Sequence, residues 1–168
     1  RAGSQHVMDS DYFSKIEALH YVLAHDDGQS MSDLEEADLI LFGVSRTSKT
    51  PTCIYLANRG IKAANVPIVP GIPVPLEAIE AQKPLKVGLT KDPRRLVQIR
   101  RQRMKMQGHE ETSDYVDLDA VSAEMKEARK LYDEHGWQTI DVSRKSVEET
   151  AATIMQFLDR RLDHTSRS

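Results

Sequence analysis

An eight-residue loop carries the residues whose types and spacing point most directly to chemistry. It consists of Gly43, Val44, Ser45, Arg46, Thr47, Ser48, Lys49 and Thr50, and it matches the Walker A pattern G-x-x-x-x-G-K-[ST] except for serine at the second glycine. Backbone N–H groups of such a loop bind phosphate oxygens beside the positive end of the following helix. Lys49 is suited to reach a terminal phosphate, and the Thr50 hydroxyl is suited to hold Mg²⁺. The loop therefore predicts nucleotide binding. The alternative is a polar turn that contains these residue types without that role.

Two adjacent acids form a second candidate group. Asp26 and Asp27 directly precede Gly28, where the first predicted helix ends. Carboxylates can hold Mg²⁺ or accept the proton of a hydroxyl group. Negative charge is unfavourable at the C-terminus of a helix, so a purely solvated role is less natural here. We predict that one of these acids is catalytic together with Lys49, and the sequence does not choose between them. A solvated helix end is the alternative.

A strongly basic segment follows the third predicted strand. Residues 91–105 contain seven basic side chains and one acid. Arg100 and Arg103 lie three residues apart, on one face of a helix, where two guanidinium groups can converge on one anion. We predict that these two arginines contact the bound phosphate. A solvated basic face is the alternative, and it is favoured for Arg94, Arg95 and Arg101.

The order of the elements predicts the fold that positions these groups. Short apolar runs predict strands at 37–44, 62–69, 84–90 and 137–142, and helical spacing predicts helices at 9–24, 50–58, 92–105, 118–135 and from 146 onward. Alternation of strands and helices predicts an α/β domain, P-loop kinase-like, with a mainly parallel sheet flanked by helices. The first helix is expected to bury an apolar face, which consists of Tyr12, Phe13, Ile16, Leu19, His20 and Leu23.

Composition excludes several classes of protein. The chain has 168 residues and a net charge of −3, which argues against binding to bulk nucleic acid. Its apolar runs are far shorter than the roughly 18 residues of a membrane span. Cys53 is the one cysteine, so a disulfide scaffold is excluded and a reduced, cytoplasmic setting is favoured.

The sequence predicts one catalytic domain with short flanking segments. Residues 1–30 are interpreted as an N-terminal helix and linker at the cut edge of a longer protein, because the chain starts without Met. Residues 31–163 are interpreted as the P-loop catalytic domain, and residues 164–168 as a frayed tail.

Long blocks of the sequence resemble a known family. The string GVSRTSKTPTCIYLANRGIKAANVPIVPG, residues 43–71, is similar to the regulatory proteins of pyruvate, phosphate dikinase and of phosphoenolpyruvate synthetase. Further blocks of the same family are recognised at residues 12–28, 87–103 and 140–154. Together these blocks cover nearly the whole chain.

The resemblance implies a bifunctional enzyme. Members of this family transfer the β-phosphate of ADP to a threonine of the dikinase, which inactivates it, and release AMP. They also remove that phosphate by attack of inorganic phosphate, which releases pyrophosphate. By the same resemblance, residues 43–50 bind ADP, and Ser48 is normal for the family. Family members carry an additional N-terminal region, so this chain resembles their C-terminal, catalytic part.

Other functions are compatible with the same residues. A small-molecule P-loop kinase that uses ATP has a similar length and the same strand–loop–helix start. A non-catalytic ADP-sensing module that docks through the basic helix is another alternative. The sequence does not decide between the dikinase and the synthetase as the protein target. Apolar residues within 68–76 would suit a homodimer contact.

Overall fold

Four parallel strands form a single sheet at the centre of the molecule. A computed structural model describes residues 2–26, 31–108 and 114–167, with side chains described within these ranges from residue 10 to residue 163. The strands are β1 (Leu39–Gly43), β2 (Ala63–Pro67), β3 (Leu85–Thr90) and β4 (Gln138–Asp141). Their order in the sheet is β2-β1-β3-β4, and every neighbouring pair is parallel. The predicted α/β class with a parallel sheet is confirmed.

Helices cover both faces of the sheet. They are α1 (Ala2–Ala24), α2 (Lys49–Ala57), α3 (Leu76–Glu80), α4 (Pro93–Met106), α5 (Leu118–His135) and α6 (Val147–Arg167). The five helices predicted from the sequence are present. The short helix α3 was not predicted, because it follows directly on a proline-rich segment that has no helical periodicity of its own.

The central strand β1 shows why the sheet is buried on both sides. Its alternating side chains contribute to two separate cores. Leu39 and Leu41 pack with residues of α1, α2 and α6, whereas Ile40 and Phe42 pack with residues of α4 and α5. Every residue of β1 is buried, as the continuous apolar run predicts for a strand covered by helices on both faces.

The strand order places a crevice next to β1. From β1 the chain continues to β2 at one edge of the sheet. From β3 it continues in the opposite direction, to β4 at the other edge. Ligands of open α/β sheets bind outside the carboxyl ends of the strands at such a reversal. The loop that starts at Gly43 therefore lies where this fold offers a ligand site.

The buried face predicted for α1 was wrong for four of its six residues. Tyr12, Phe13, His20 and Leu23 are exposed, whereas Ile16 is half-buried and Leu19 packs against the core. The buried residues of this segment are Ala18, Tyr21, Val22 and His25. Two of them also make polar contacts beyond the helix, since the Tyr21 hydroxyl donates to the Asp33 carbonyl and the His25 ring contacts the Ser32 carbonyl. The spacing of apolar residues gives no information on such contacts.

Helix ends follow the local chemistry of the sequence. The Asp92 side chain accepts a hydrogen bond from the Arg94 amide at 2.9 Å and caps α4. Ser146 and Glu149 form a reciprocal capping box at the start of α6. Gly136 ends α5 with a φ of 65°.

Among the helices of the described residues, none is long and apolar enough to cross a membrane.

Gly88 of β3 provides a test of the packing between the sheet and α5. A Cβ atom at this position would lie 2.5 Å from three carbons of the Tyr132 ring. We expect Gly88→Ala to lower the free energy of unfolding, measured by urea denaturation, by about 1–3 kcal/mol because the core is overpacked. In a Tyr132→Leu background the same substitution should cost less. An equal cost in both backgrounds would show that the ring is not the cause.

Candidate functional site

A cavity of about 710 Å³ opens at the carboxyl edge of β1. Its walls come from three parts of the chain: the loop after β1 with the start of α2, the segment after β2, and the start of α5 with the residues before it. The lining residues are Ser45, Arg46, Ser48, Lys49, Thr50, Pro51, Pro67, Ile68, Val69, Pro70, Asp114, Tyr115, Ala120 and Glu124. Five of the eight residues of the predicted phosphate loop thus share one cavity.

The first glycine of the loop is required by close packing. A Cβ atom on Gly43 would lie 2.6 Å from Thr47 Oγ1 and 3.3 Å from Lys49 Cδ. Both side chains fold back over the end of β1 to one backbone acceptor. Thr47 Oγ1 donates to the Val44 carbonyl at 2.8 Å, and Lys49 Nζ donates to the same oxygen at 3.1 Å. The ammonium group of Lys49 therefore lies at the centre of the loop.

Ser48 adopts the backbone conformation that explains the usual glycine at its position. Its φ and ψ are 64° and 33°, in the left-handed region, and Arg46 also has a positive φ of 72°. Left-handed geometry is strained for residues with a Cβ atom. It lets the chain turn sharply into α2, which begins at Lys49, so the N-terminal amides of α2 lie at the cavity.

Thr50 is held in a polar cluster with two residues from other elements. Its hydroxyl donates to Asp26 Oδ1 at 2.6 Å. Asn65, from β2, donates to the same carboxylate oxygen through its side-chain amide, and its Nδ2 lies 3.3 Å from Thr50 Oγ1. The structure therefore brings Asp26, one of the two predicted acids, to the first turn of α2.

The end of α1 fixes the position of Asp26. His25 is buried, and its two ring nitrogens each lie 2.9 Å from a backbone carbonyl oxygen, of Tyr21 and of Ser32. The His25 carbonyl in turn accepts the backbone amide of Asn65 at 3.1 Å. The residue next to Asp26 is thus anchored to β2. The other predicted acid, Asp27, lies outside the described residues.

Arg100 and Arg103 lie in different environments. Arg100 is fully buried, and its guanidinium group forms a bidentate ion pair with Glu124, at 2.7 and 3.1 Å. Arg103 is exposed on the same helix. The expected convergence of the two guanidinium groups on one anion is therefore not what the structure shows. Spacing along one helix did not reveal that an acid on α5 pairs with Arg100.

Three residues of the site were not identified from the sequence. They are Asn65, Tyr115 and Glu124. Asn65 left a signal, because it is a polar residue inside an apolar strand and only 1% of its surface is exposed. Tyr115 and Glu124 could not be identified in this way, since they belong to a polar stretch of the sequence. Only the tertiary fold brings them close to the loop.

The donor set at Thr50 fits a magnesium ion. The hydroxyl of Thr50, which lines the cavity, and the carboxylate oxygen of Asp26 lie next to each other, and both are hard oxygen ligands. Mg²⁺ in nucleotide sites is held by one or two such groups together with phosphate oxygens and water. Three or more His, Cys, Asp or Glu side chains do not cluster as a metal site anywhere in the described ranges.

Most of the chain matches a known protein family. Residues 1–155 match the kinase/pyrophosphorylase family. The chain belongs to this family. It is 56% identical over 158 residues to a protein of Caulobacter vibrioides, covering 94% of this chain and 50% of that protein. It is 54% identical over 156 residues to a protein of Rhodospirillum rubrum, covering 93% and 57%, respectively.

Three of these relatives carry the same name. Both proteins, and one of Hyphomonas neptunium that is 52% identical over 98% of this chain and 60% of its own length, are named "Putative pyruvate, phosphate dikinase regulatory protein". The chain spans about half to three fifths of the length of these curated relatives. The resemblance found in residues 43–71 is thus confirmed at the level of the family.

Cys53 lies on α2, behind the phosphate loop. It is completely buried, and burial raises the pKa of its thiol to about 12, with the Asp26 carboxylate adding to the shift. A thiol with such a pKa is neutral at physiological pH and does not act as a nucleophile. Cys53 therefore packs as a small apolar residue beneath the site.

The reactivity of Cys53 can be measured without interference, since the chain has one cysteine. We expect a thiol reagent such as iodoacetamide to leave the folded protein unmodified between pH 7 and pH 9 and to label it fully in denaturant. Labelling is measured by intact mass. Rapid labelling of the folded protein at pH 8 would contradict the burial of this thiol.

The strain at Ser48 predicts an effect on stability. We expect Ser48→Gly to raise the free energy of unfolding by about 1 kcal/mol, because glycine adopts a positive φ without a steric penalty. Ser48→Val should lower it. Ser48→Ala is the matched control, since alanine removes the hydroxyl group but keeps the Cβ atom at the positive φ, and it should not be stabilised. Equal effects of glycine and alanine at this position in urea denaturation would exclude relief of strain.

Proposed function

We propose that this chain is the catalytic part of a bifunctional regulator of pyruvate, phosphate dikinase. In this proposal it transfers the β-phosphate of ADP to a threonine of the dikinase and later removes it with inorganic phosphate. The observation that carries the proposal is the loop of residues 43–50, which brings Lys49 and the Thr50–Asp26 pair together at the carboxyl edge of β1. Membership of the kinase/pyrophosphorylase family and the names of its relatives support the same activity.

The forward reaction requires stabilisation of charge on the transferred group. The threonine oxygen forms a bond to the β-phosphorus of ADP, the bond from that phosphorus to the α–β bridging oxygen breaks, and AMP leaves. Lys49 and the N-terminal amides of α2 are placed to neutralise the phosphate oxygens during this transfer. Because little covalent chemistry falls to the protein, positioning of ADP against the threonine hydroxyl supplies most of the catalysis.

Asp26 can play two roles in this reaction, and both depend on its contact with Thr50. Thr50 and Asp26 would hold Mg²⁺, which would neutralise negative charge on the phosphate groups. Asp26, which accepts the Thr50 hydroxyl, would alternatively orient the acceptor hydroxyl and take its proton. Asn65 keeps this carboxylate aligned in either role.

The reverse reaction can use the same anion cradle. The phosphoryl group of phosphothreonine would lie where the β-phosphate of ADP binds, and inorganic phosphate would lie where the α-phosphate binds. An oxygen of inorganic phosphate would then attack the phosphorus of phosphothreonine. Threonine regains its hydroxyl group, and pyrophosphate is released. One site then serves both directions, because each direction involves two adjacent phosphate groups. In the forward direction they are the α- and β-phosphates of ADP, and in the reverse direction they are the two phosphates of the pyrophosphate product.

Protein partners of the site follow from the same proposal. The dikinase is the proposed protein substrate, because the relatives are named for it, and the synthetase is the alternative.

Val69, Ile72 and Leu76 expose between 42% and 65% of their surfaces next to the cavity. This apolar segment is the surface we propose for a homodimer contact.

Nucleotide preference tests the proposal most directly. We expect calorimetry with Mg²⁺ to show binding of ADP at micromolar concentration, with weaker binding of AMP, in the protein at its full natural length. Lys49→Ala should abolish the preference for ADP because it removes the cation at the phosphate. A clear preference for ATP would favour a small-molecule kinase instead, and binding of ADP without turnover would favour a sensing module.

The two directions of the reaction can be separated in the same variant. If one site serves both, Lys49→Ala should reduce phosphorylation of the dikinase threonine and the phosphate-dependent removal of that phosphate together. Loss of phosphorylation with intact dephosphorylation would show that inorganic phosphate binds elsewhere. Phosphothreonine and pyrophosphate are the products to measure.

A further inference from the structure

Arg100 occupies an unusual position for a basic residue next to an anion site. It lies fully buried in α4, and it is not among the residues that line the cavity. Its partners, in contrast, all line the cavity: Ser45, Tyr115 and Glu124. Arg100 therefore lies directly behind one wall of the cavity and contacts the groups that form this wall.

The contacts of Arg100 hold three separate segments together. Its Nη1 and Nη2 form the bidentate pair with Glu124 of α5, and Nη1 also donates to the Tyr115 carbonyl at 3.2 Å. Its guanidinium carbon lies 4.5 Å from the centre of the Tyr115 ring, in a cation–π contact. The Tyr115 hydroxyl lies 2.7 Å from Ser45 Oγ and closes the network at the phosphate loop.

The most informative contact is with the backbone of the phosphate loop. Nη2 and Nε of Arg100 donate to the Ser45 carbonyl at 3.1 and 3.4 Å. In a trans peptide the carbonyl and the following N–H point in opposite directions, and the described residues contain no cis peptide. The N–H of Arg46 therefore points away from Arg100, and Arg46 itself lines the cavity.

We propose that Arg100 is a positioning residue for phosphate binding. It fixes the Ser45–Arg46 peptide with the carbonyl turned into the protein and the N–H turned toward the bound β-phosphate. Glu124 holds the guanidinium group in the orientation that this requires. The proposal rests on the proposed binding of ADP at residues 43–50, and it gives Arg100 a different role from direct contact with the anion.

Arginine is required for this role because of its shape. A planar guanidinium group reaches the Glu124 carboxylate and the Ser45 carbonyl at the same time with donors in a fixed plane. Lysine retains the charge but presents a single ammonium group, which cannot hold both partners in that geometry. Arg100→Lys therefore separates the positioning role from the contribution of charge.

The test compares the affinity of Arg100→Lys for ADP and for AMP by calorimetry in the full-length protein. We expect ADP affinity to fall about tenfold or more, as loss of hydrogen bonds from a charged donor predicts. AMP affinity should fall less, because AMP lacks the β-phosphate. Arg101→Lys is the matched control, since Arg101 is the exposed neighbour on α4 and should leave both affinities unchanged.

Two further measurements keep structural damage apart from the positioning role. Glu124→Gln, which retains Arg100 but weakens its fixation, should shift the ADP-to-AMP preference in the same direction by a smaller factor. Amide hydrogen exchange should become faster at residues 44–48 in Arg100→Lys and not in Arg101→Lys. Urea denaturation of each variant shows whether it is folded.

The outcomes distinguish failure of this proposal from failure of the proposed function. Unchanged ADP affinity in Arg100→Lys, with binding lost in Lys49→Ala, would overturn the positioning role and leave the function intact. Equal losses for ADP and AMP would show that Arg100 only maintains the fold, and would also overturn the role. If the wild-type protein shows no preference for ADP, the proposed function fails, and the positioning proposal fails with it.

Discussion

The orientation of two backbone carbonyls in the phosphate loop is the constraint on which the site depends. The Val44 carbonyl accepts hydrogen bonds from Thr47 and Lys49, and the Ser45 carbonyl accepts them from Arg100. Because the Ser45 carbonyl is turned toward Arg100, the amide of Arg46 is turned the other way. An amide that faces the cavity is the kind of donor that binding of a phosphate group requires.

Each of the surrounding elements contributes to this orientation. The parallel sheet buries β1 on both faces, so the loop begins from a fixed end at Gly43. Positive φ angles at Arg46 and Ser48 fold the loop tightly before α2. On one side α4 and α5 hold it through the Arg100–Glu124 pair, and on the other the end of α1 and β2 bring Asp26 and Asn65 to Thr50. The site is thus assembled from residues that lie far apart in the sequence.

The local parts of this arrangement were predictable from the sequence, and the long-range parts were not. The strand–loop–helix order, the capping residues Asp92 and Ser146, and the parallel sheet follow from periodicity and short motifs. The rotation of α1 and the burial of Arg100 do not. They depend on hydrogen bonds to carbonyls and carboxylates of distant elements, and apolar spacing carries no information on these bonds.

The sequence by itself determined the class of fold and the family, and it predicted a site at residues 43–50, because each depends on residue types within short segments. Only the tertiary structure decided which partners these residues have. It joined Asp26 directly to Thr50, with Asn65 bonded to the same carboxylate oxygen, and it paired Arg100 with Glu124 behind the cavity wall while Arg103 is exposed. The physical reason is that a buried charge requires a partner wherever the packing of the elements offers one, and that partner can lie at any distance along the chain.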